Sequence, residues 1–354
     1  MNISTLYEKL EKLADRLPSQ LQHPLLREIR PIRMLFLQQR APRILLLGDR
    51  AGSRSELVNS LFGRPVAEAG EDYLQDRTWQ LFASSRGKLR MLDGRRPVAA
   101  SLVRRALAAE PADLCLYLHA GAPATEDLQR MHEVLDGAAP IPVFGVTTGL
   151  ASAEAESSRH ELHATLERGA GKQFAGHVAG VFVPTLGKQE VHKFAAAMAA
   201  ELPPEAKLEM ARLSGVRELQ LEIAGALVKS TAAICGAVGA QPIPLADFPI
   251  LTALQGFMVA GIMHISGRER SAKLAAEWMG ALGANIGLGL VLREGSRAAL
   301  KFVPIWGDLV SGGIAAAGTY AVGKAAIAYF IEGVSLPDAR RLFRRRKKAP
   351  KQLK

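Results

Sequence analysis

Residues 43–63, Arg43-Ile44-Leu45-Leu46-Leu47-Gly48-Asp49-Arg50-Ala51-Gly52-Ser53-Arg54-Ser55-Glu56-Leu57-Val58-Asn59-Ser60-Leu61-Phe62-Gly63, decide the fold. An apolar run with strand character ends at a glycine, a tight loop follows, and an amphipathic helix opens at a small hydroxyl residue. A phosphate-binding loop has this order: glycine, four residues, then Gly-Lys-Ser/Thr. Gly48 and Ser55 stand in register with it, whereas Ser53 replaces the second glycine and Arg54 replaces the lysine. Such a loop uses glycine so that backbone N–H groups can approach phosphate without a Cβ in the way, and lysine as a compact point charge. Ser53 adds a side chain there, and Arg54 sets a planar fork on a longer stem where an ammonium would sit. Ser55 keeps a hydroxyl able to ligate Mg²⁺. The competing reading is a loop that binds nothing and joins strand to helix.

Working outward, strand and helix signals alternate from Arg43 to about Leu202. Strands are expected at Ile44–Leu47, Thr78–Ala83, Lys88–Leu92, Leu114–His119, Val143–Thr147 and Val178–Pro184. Helices are expected at Ser55–Phe62, Val98–Ala109, Glu126–Leu135, Ala153–Arg168 and Gln189–Glu201. The short Ser84-Ser85-Arg86-Gly87 connection predicts an antiparallel hairpin, and the remaining alternation predicts parallel strands. The fold class is therefore α/β over residues 43–202, a mixed and mostly parallel sheet with helices on both faces. Ahead of it, residues 1–42 read as a helical segment, with Leu6, Leu10, Leu13 and Leu17 on one stripe and Pro24, Pro31 and Pro42 as breaks. Pro203-Pro204 opens a charged linker helix, from Glu205 to about Leu227 within residues 203–228. Residues 229–334 are rich in Ala and Gly and read as an all-helical domain. Residues 335–354 form a basic tail.

The net charge of +11 is not spread evenly. From Leu336 to Lys354 nine basic residues face one acid, a balance of +8, which leaves +3 for the other 335 residues. The body is near neutral, and a tail of this kind can contact anionic lipid, RNA or an acidic partner. Cys115 and Cys235 lie far apart in apolar runs, which predicts buried reduced thiols rather than a disulfide. His160 and His163 share a helix face with no third ligand near in sequence, so a solvated face is expected there.

Residues 43–201 resemble the Era/TrmE-like GTPase domain. Ser55-Glu56-Leu57-Val58-Asn59-Ser60-Leu61-Phe62-Gly63 is similar to that class's Ser-Ser-Leu-Ile-Asn-Ala-Leu-Phe-Gly. Residues 229–334 resemble the helical domain shared by YcjF-type membrane proteins and some bacterial GTPases, through Pro242-Ile-Pro-Leu-Ala-Asp-Phe-Pro249, Phe257-Met258-Val259 and Pro304-Ile305-Trp306-Gly307. The resemblance implies GTP with Mg²⁺ as cofactor if the site functions, held around Gly48, Ser53, Arg54 and Ser55. It implies Thr78 as the switch threonine on Mg²⁺ beside Ser55, and Asp93 as the start of the Asp-x-x-Gly element. After Asp93 comes Gly94-Arg95-Arg96-Pro97, so the glycine for the γ-phosphate is missing from its place; Asp93 either holds a water on Mg²⁺ or caps the helix near Val98. Where the family reads guanine with Asn/Thr-Lys-x-Asp, this chain has Thr147-Thr148-Gly149-Leu150. Leu150 accepts no hydrogen bond, so guanine selectivity by that route is expected to be absent.

Three contacts to a nucleotide have thus drifted inside a legible frame. The expected function is a degenerate GTPase-like regulatory or scaffold protein, more an interaction module than an enzyme, with no cofactor. The alternatives are a slow GTPase with an atypical loop and an RNA- or ribosome-associated protein. Phe248–Gly267 gives twenty residues without formal charge, near the roughly 20 that cross a bilayer. With the basic run Arg344, Arg345, Arg346, Lys347 and Lys348 as an anionic contact, this points to the cytoplasmic face of the inner membrane, with a soluble cytoplasmic protein as the alternative. The expected partner is a membrane surface or membrane protein. The tail leaves nucleic acid open, and small residues along the C-terminal helices permit a homo-oligomer.

Overall fold

The computed structural model describes residues 22–23, 25–29, 32–33, 38–49, 53–68, 79–95, 97–119, 125–136, 139–147, 160–166, 178–182, 187–240, 248–282 and 306–348, together with Glu8 and Lys12. The chain divides into two compact units, Arg40–Val216 and a second made of Met1–Gln39 with Arg217–Lys354.

In the first unit the strands are β1 (Arg43–Gly48), β2 (Gln80–Ala83), β3 (Lys88–Asp93), β4 (Leu114–His119), β5 (Val143–Thr147) and β6 (Val178–Phe182). They form one sheet in the order β2-β3-β1-β4-β5-β6. β2 runs antiparallel to β3 across the Ser84–Gly87 turn, as the short connection predicts. All other pairs are parallel. β1, β4 and β5 are almost wholly buried, which is why they read as unbroken apolar runs rather than alternating ones.

The helices of this unit are α1 (Arg54–Phe62), α2 (Ala100–Ala109), α3 (Thr125–Leu135), α4 (Lys188–Glu201) and α5 (Pro204–Ser214). Leu45 and Leu47 share a buried cluster with Val103 of α2, Met131 and Val134 of α3, and Leu162 and Leu166 from helical residues 160–166. Strand alternation sends Ile44 and Leu46 to the opposite face. On β5, Phe144 meets Phe194 of α4 edge-on, with ring centroids 6.2 Å apart. Each fully buried leucine or phenylalanine here contributes roughly 1.5–3 kcal/mol of burial. The entry to β1 is fixed by Asp113, which accepts from Arg40 at 2.7 and 2.6 Å and from the Arg43 N–H at 2.8 Å.

Several boundaries differ from the sequence reading. β2 starts at Gln80, and Thr78 lies outside the described residues. The single helix expected from Glu205 to Leu227 is two helices: α5 ends at Gly215, whose φ of +64° supplies the left-handed closing conformation, and α6 (Arg217–Gly239) follows. α5 belongs with the sheet, because Glu209 accepts from the Lys88 N–H at 2.8 Å and pairs with Arg212 at 2.8 Å. The Leu6–Leu17 stripe and residues 148–150 of the Thr147–Leu150 run lie outside the described residues.

The described elements of the second unit are helices: α6, α7 (Phe248–Ile265), α8 (Ala272–Leu282), α9 (Trp306–Phe330) and α10 (Leu336–Lys348). α6 and α9 run antiparallel in close contact. A Cβ on Gly312 would sit 2.6 Å from the Gly236 carbonyl oxygen, and one on Gly323 would sit 2.5 Å from Val228. Within the apolar packing of α7 and α9, Gln255 donates to Thr319 Oγ1 at 3.0 Å. From the N-terminal segment, Leu25, Ile29 and Ile32 are buried, and Glu28 accepts from Ser230 of α6 at 2.7 Å. α6 is long and apolar enough to cross a membrane by length and composition, and 56% of its apolar window is buried inside the protein.

Candidate functional site

In an open α/β sheet, ligands gather outside the C-terminal ends of the strands where the strand order reverses. Here that point is β1, with β3 on one side and β4 on the other. The C-terminal ends of β1, β3, β4 and β5 therefore bring Gly48, Asp93, His119 and Thr147 to one edge. The fold thus assembles the described members of the expected site; Gly48 and Ser55 match a phosphate loop, whereas Ser53 and Arg54 depart from it. Thr78, Thr148 and the loop residues Arg50, Ala51 and Gly52 lie outside the described residues.

Gly48 has φ +102°, and a Cβ there would lie 2.1 Å from the Leu118 carbonyl oxygen of β4. Its glycine is required by strand packing. The next residue confirms how closely the loop follows β4: the Asp49 N–H donates to the same Leu118 oxygen at 2.8 Å.

Ser53 is the N-cap of α1, its hydroxyl accepting from the Glu56 N–H at 3.2 Å. Ser53-Arg54-Ser55-Glu56 is the Ser-x-x-Glu capping signature, a local sequence signal for this cap beside the departure from glycine. A phosphate at a helix N-terminus is held by these first N–H groups. In this chain one of them is taken by Ser53, and Glu56 adds a carboxylate to the first turn. Ser53 and Ser55 hydroxyls are 3.3 Å apart, and Ser55 is buried.

Arg54, in the lysine's place, is fully buried. Its Nη1 donates to Gln80 Oε1 at 3.2 Å, and its guanidinium lies 5.7 Å from the Phe82 ring centroid. Two of its contacts, Gln80 and Phe82, are thus residues of β2.

Asp93 neither caps a helix nor presents an open carboxylate. Arg95 grips it from both sides: Nε to Oδ1 at 3.0 Å and Nη2 to Oδ2 at 2.8 Å, with the Arg95 backbone N–H to Oδ1 at 3.1 Å. The remaining arm, Nη1, donates to the Asp49 carbonyl oxygen at 3.2 Å. Arg95 thereby ties the end of β3 to the start of the loop, and its side chain is 3% exposed. A second arginine, Arg130 of α3, donates to the carbonyl oxygens of Gly94 and Val98 and fixes the loop that follows. The sequence reading missed both roles. The Arg95-Arg96 pair two residues beyond Asp93 was the available signal for one of them.

His119 and Thr147 are paired in register across β4 and β5 and are buried, and among the described residues neither His119 Nδ1 nor Thr147 Oγ1 has a hydrogen-bond partner. Burial holds the His119 imidazole below its ordinary pKa, against the opposing pull of Asp49 and Glu161, so the ring is neutral at pH 7. Tyr117, one residue earlier than Leu118, has its phenol pushed up by burial, with Asp127 and Asp49 adding to the effect. A cavity of about 420 Å³ opens at the other edge of the strands, lined by Leu107, Pro111, Ala112, Val134, Leu135 and Ile141 among others, and contains none of the expected site residues.

These residues do not fit Mg²⁺-GTP in the arrangement observed. The cation that should meet the phosphates is buried against Gln80 and Phe82 of β2, the carboxylate that should meet the metal shell is held by Arg95, and the helix N-terminus is capped from within the chain. Among the described residues no group of three or more His, Cys, Asp or Glu side chains could hold a metal ion. No protein-family model matches the chain, and no curated protein matches it.

Proposed function

We propose that this chain is a GTPase-like regulatory or scaffold protein, in which residues 43–202 keep a P-loop GTPase-like fold whose nucleotide site is closed by the protein's own side chains. On this reading the Ala- and Gly-rich residues 229–334 form an all-α domain that tethers the protein at the cytoplasmic face of the membrane. The observation that carries the reading is the Asp93–Arg95–Asp49 bridge, since it occupies the carboxylate and ties down the loop with one side chain. Support for the fold comes from the antiparallel edge strand on an otherwise parallel sheet, with a helix opening directly after the loop that follows β1. For the tether the support is the length and apolar composition of α6, of whose apolar window 56% is already buried inside the protein.

A ligand that binds only the folded state raises its stability by RT ln(1 + [L]/Kd). Thermal unfolding of the purified chain with and without about 1 mM GTP and Mg²⁺ tests the reading, since a Kd of about 10 μM would add about 2.7 kcal/mol. The expected result is an unchanged midpoint. A Mg²⁺-dependent rise of several degrees would overturn the proposal.

A further inference from the structure

We propose that the outward face of α10 is a docking surface for anionic lipid headgroups, and that it binds them by charge without entering the acyl region. The inference rests on the membrane-face reading above and names the contact that reading leaves open. Leu336, Ala339, Leu342 and Phe343 recur at helical spacing and make one stripe. Ala339 is fully buried and Phe343 is 7% exposed, with Leu336 and Leu342 half-buried. α10 packs against α9 and α8. The apolar face that an interfacial helix would insert is therefore already inside the protein.

The opposite face is basic. Arg340, Arg341, Arg344 and Arg345 are exposed. Arg340 Nε donates to the Ala281 carbonyl oxygen at 2.5 Å, and Arg341 pairs with Asp338 at 3.2 Å. Among the described residues Arg344 and Arg345 have no acidic partner. With Arg346, Lys347 and Lys348 the helix carries seven basic residues and one acid in 13 positions. Docking on the bundle holds these like charges together on one element, where a negative surface relieves their repulsion. Lipid is favoured over single-stranded nucleic acid because the only aromatic side chain of α10, Phe343, is buried and leaves no ring for a base to stack on. A plane of headgroups asks only for positive charge near the surface, which a row of exposed arginines supplies.

The test is flotation of the purified 354-residue chain with vesicles of phosphatidylcholine alone or with added phosphatidylserine, at about 0.1 and about 0.5 M NaCl, where screening shortens from about 10 Å to a few Å. The expected result is binding to the anionic vesicles only, lost at the higher salt. Each basic residue near such a surface contributes about fivefold, so R344Q/R345Q should weaken partitioning about 30-fold while leaving the thermal midpoint unchanged. Salt-resistant binding that R344Q/R345Q does not alter would overturn the inference and leave a tether through the apolar helices standing. Binding to neither vesicle would overturn the inference and the tether together, with the closed nucleotide site unaffected. A parallel titration with single- and double-stranded RNA supplies the other outcome. RNA binding that falls in R344Q/R345Q while vesicle binding does not would assign α10 to nucleic acid and overturn the inference.

Discussion

Arg95→Ala removes the Nε and Nη2 bonds to Asp93 and the Nη1 bond to the Asp49 carbonyl oxygen in one step. Asp93, with its side chain 9% exposed, is left with the backbone N–H of residue 95 as its donor from this bridge. Breaking a buried ion pair from one side costs about 3–5 kcal/mol. The surviving backbone bond and the position of Asp93 at a strand end place the cost near the lower bound, about 3 kcal/mol. Asp93→Ala strands the buried guanidinium and should cost about as much. If the two residues act as one bridge, the double variant loses about 4 kcal/mol rather than 6, a coupling of about 2 kcal/mol. Because the chain has two units, a single global unfolding curve does not isolate the effect. Native-state hydrogen exchange of the β1 and β3 peptides does, and 3 kcal/mol corresponds to about a 100-fold loss of protection there. Additive losses, with coupling below about 0.5 kcal/mol, would refute the view that Arg95 and Asp93 form one closure.

Gly48→Ala forces a Cβ to within 2.1 Å of the Leu118 oxygen at a φ of +102°, and should cost about 3 kcal/mol or more, read as about a 100-fold loss of hydrogen-exchange protection in the β1 and β4 peptides. Ser53→Ala removes the cap of α1 and should cost about 1 kcal/mol, read as about a fivefold loss of hydrogen-exchange protection in the α1 peptide, while Ser53→Gly costs only a few tenths. The folded state holds His119 neutral below its ordinary pKa of 6.5, so the unfolded chain binds a proton first and stability falls as pH drops from 6.5 toward the depressed value. His119→Gln should flatten that part of the stability profile, and an unchanged slope would assign it to other groups. Cys115 and Cys235 are fully buried, with burial pushing the Cys235 thiol up to about 12 despite the Thr319 hydroxyl, so an aromatic disulfide reagent should modify neither until urea unfolds the chain.

The strands of the sheet were legible because β1, β4 and β5 are buried on both faces and must be apolar throughout, and the hairpin because only four residues join β2 to β3. The departure of Ser53 and Arg54 from a working phosphate loop was equally plain. How Arg54 and Arg95 are held was not. Arg54 is held by Gln80 and Phe82 of β2, and the Arg95 bridge is completed by the Asp49 carbonyl of the loop after β1. Those are contacts between segments far apart in the chain, which periodicity does not report. The grouping of residues 1–39 with 217–354 is hidden for the same reason, since Glu28 and Ser230 are 202 residues apart. The break at Gly215 and the cap at Ser53 were readable. A glycine ending a charged helix and a Ser-x-x-Glu start are local signals.

Whether the loop after β1 still accepts a nucleotide is measured most directly by titrating the purified chain with a fluorescent GTP analogue, in Mg²⁺ and again in excess chelator. The Asp93–Arg95–Asp49 bridge predicts no saturable signal up to about 1 mM, the concentration at which binding is worth only about 4 kcal/mol. Saturable binding in the micromolar range that disappears with the chelator would contradict it.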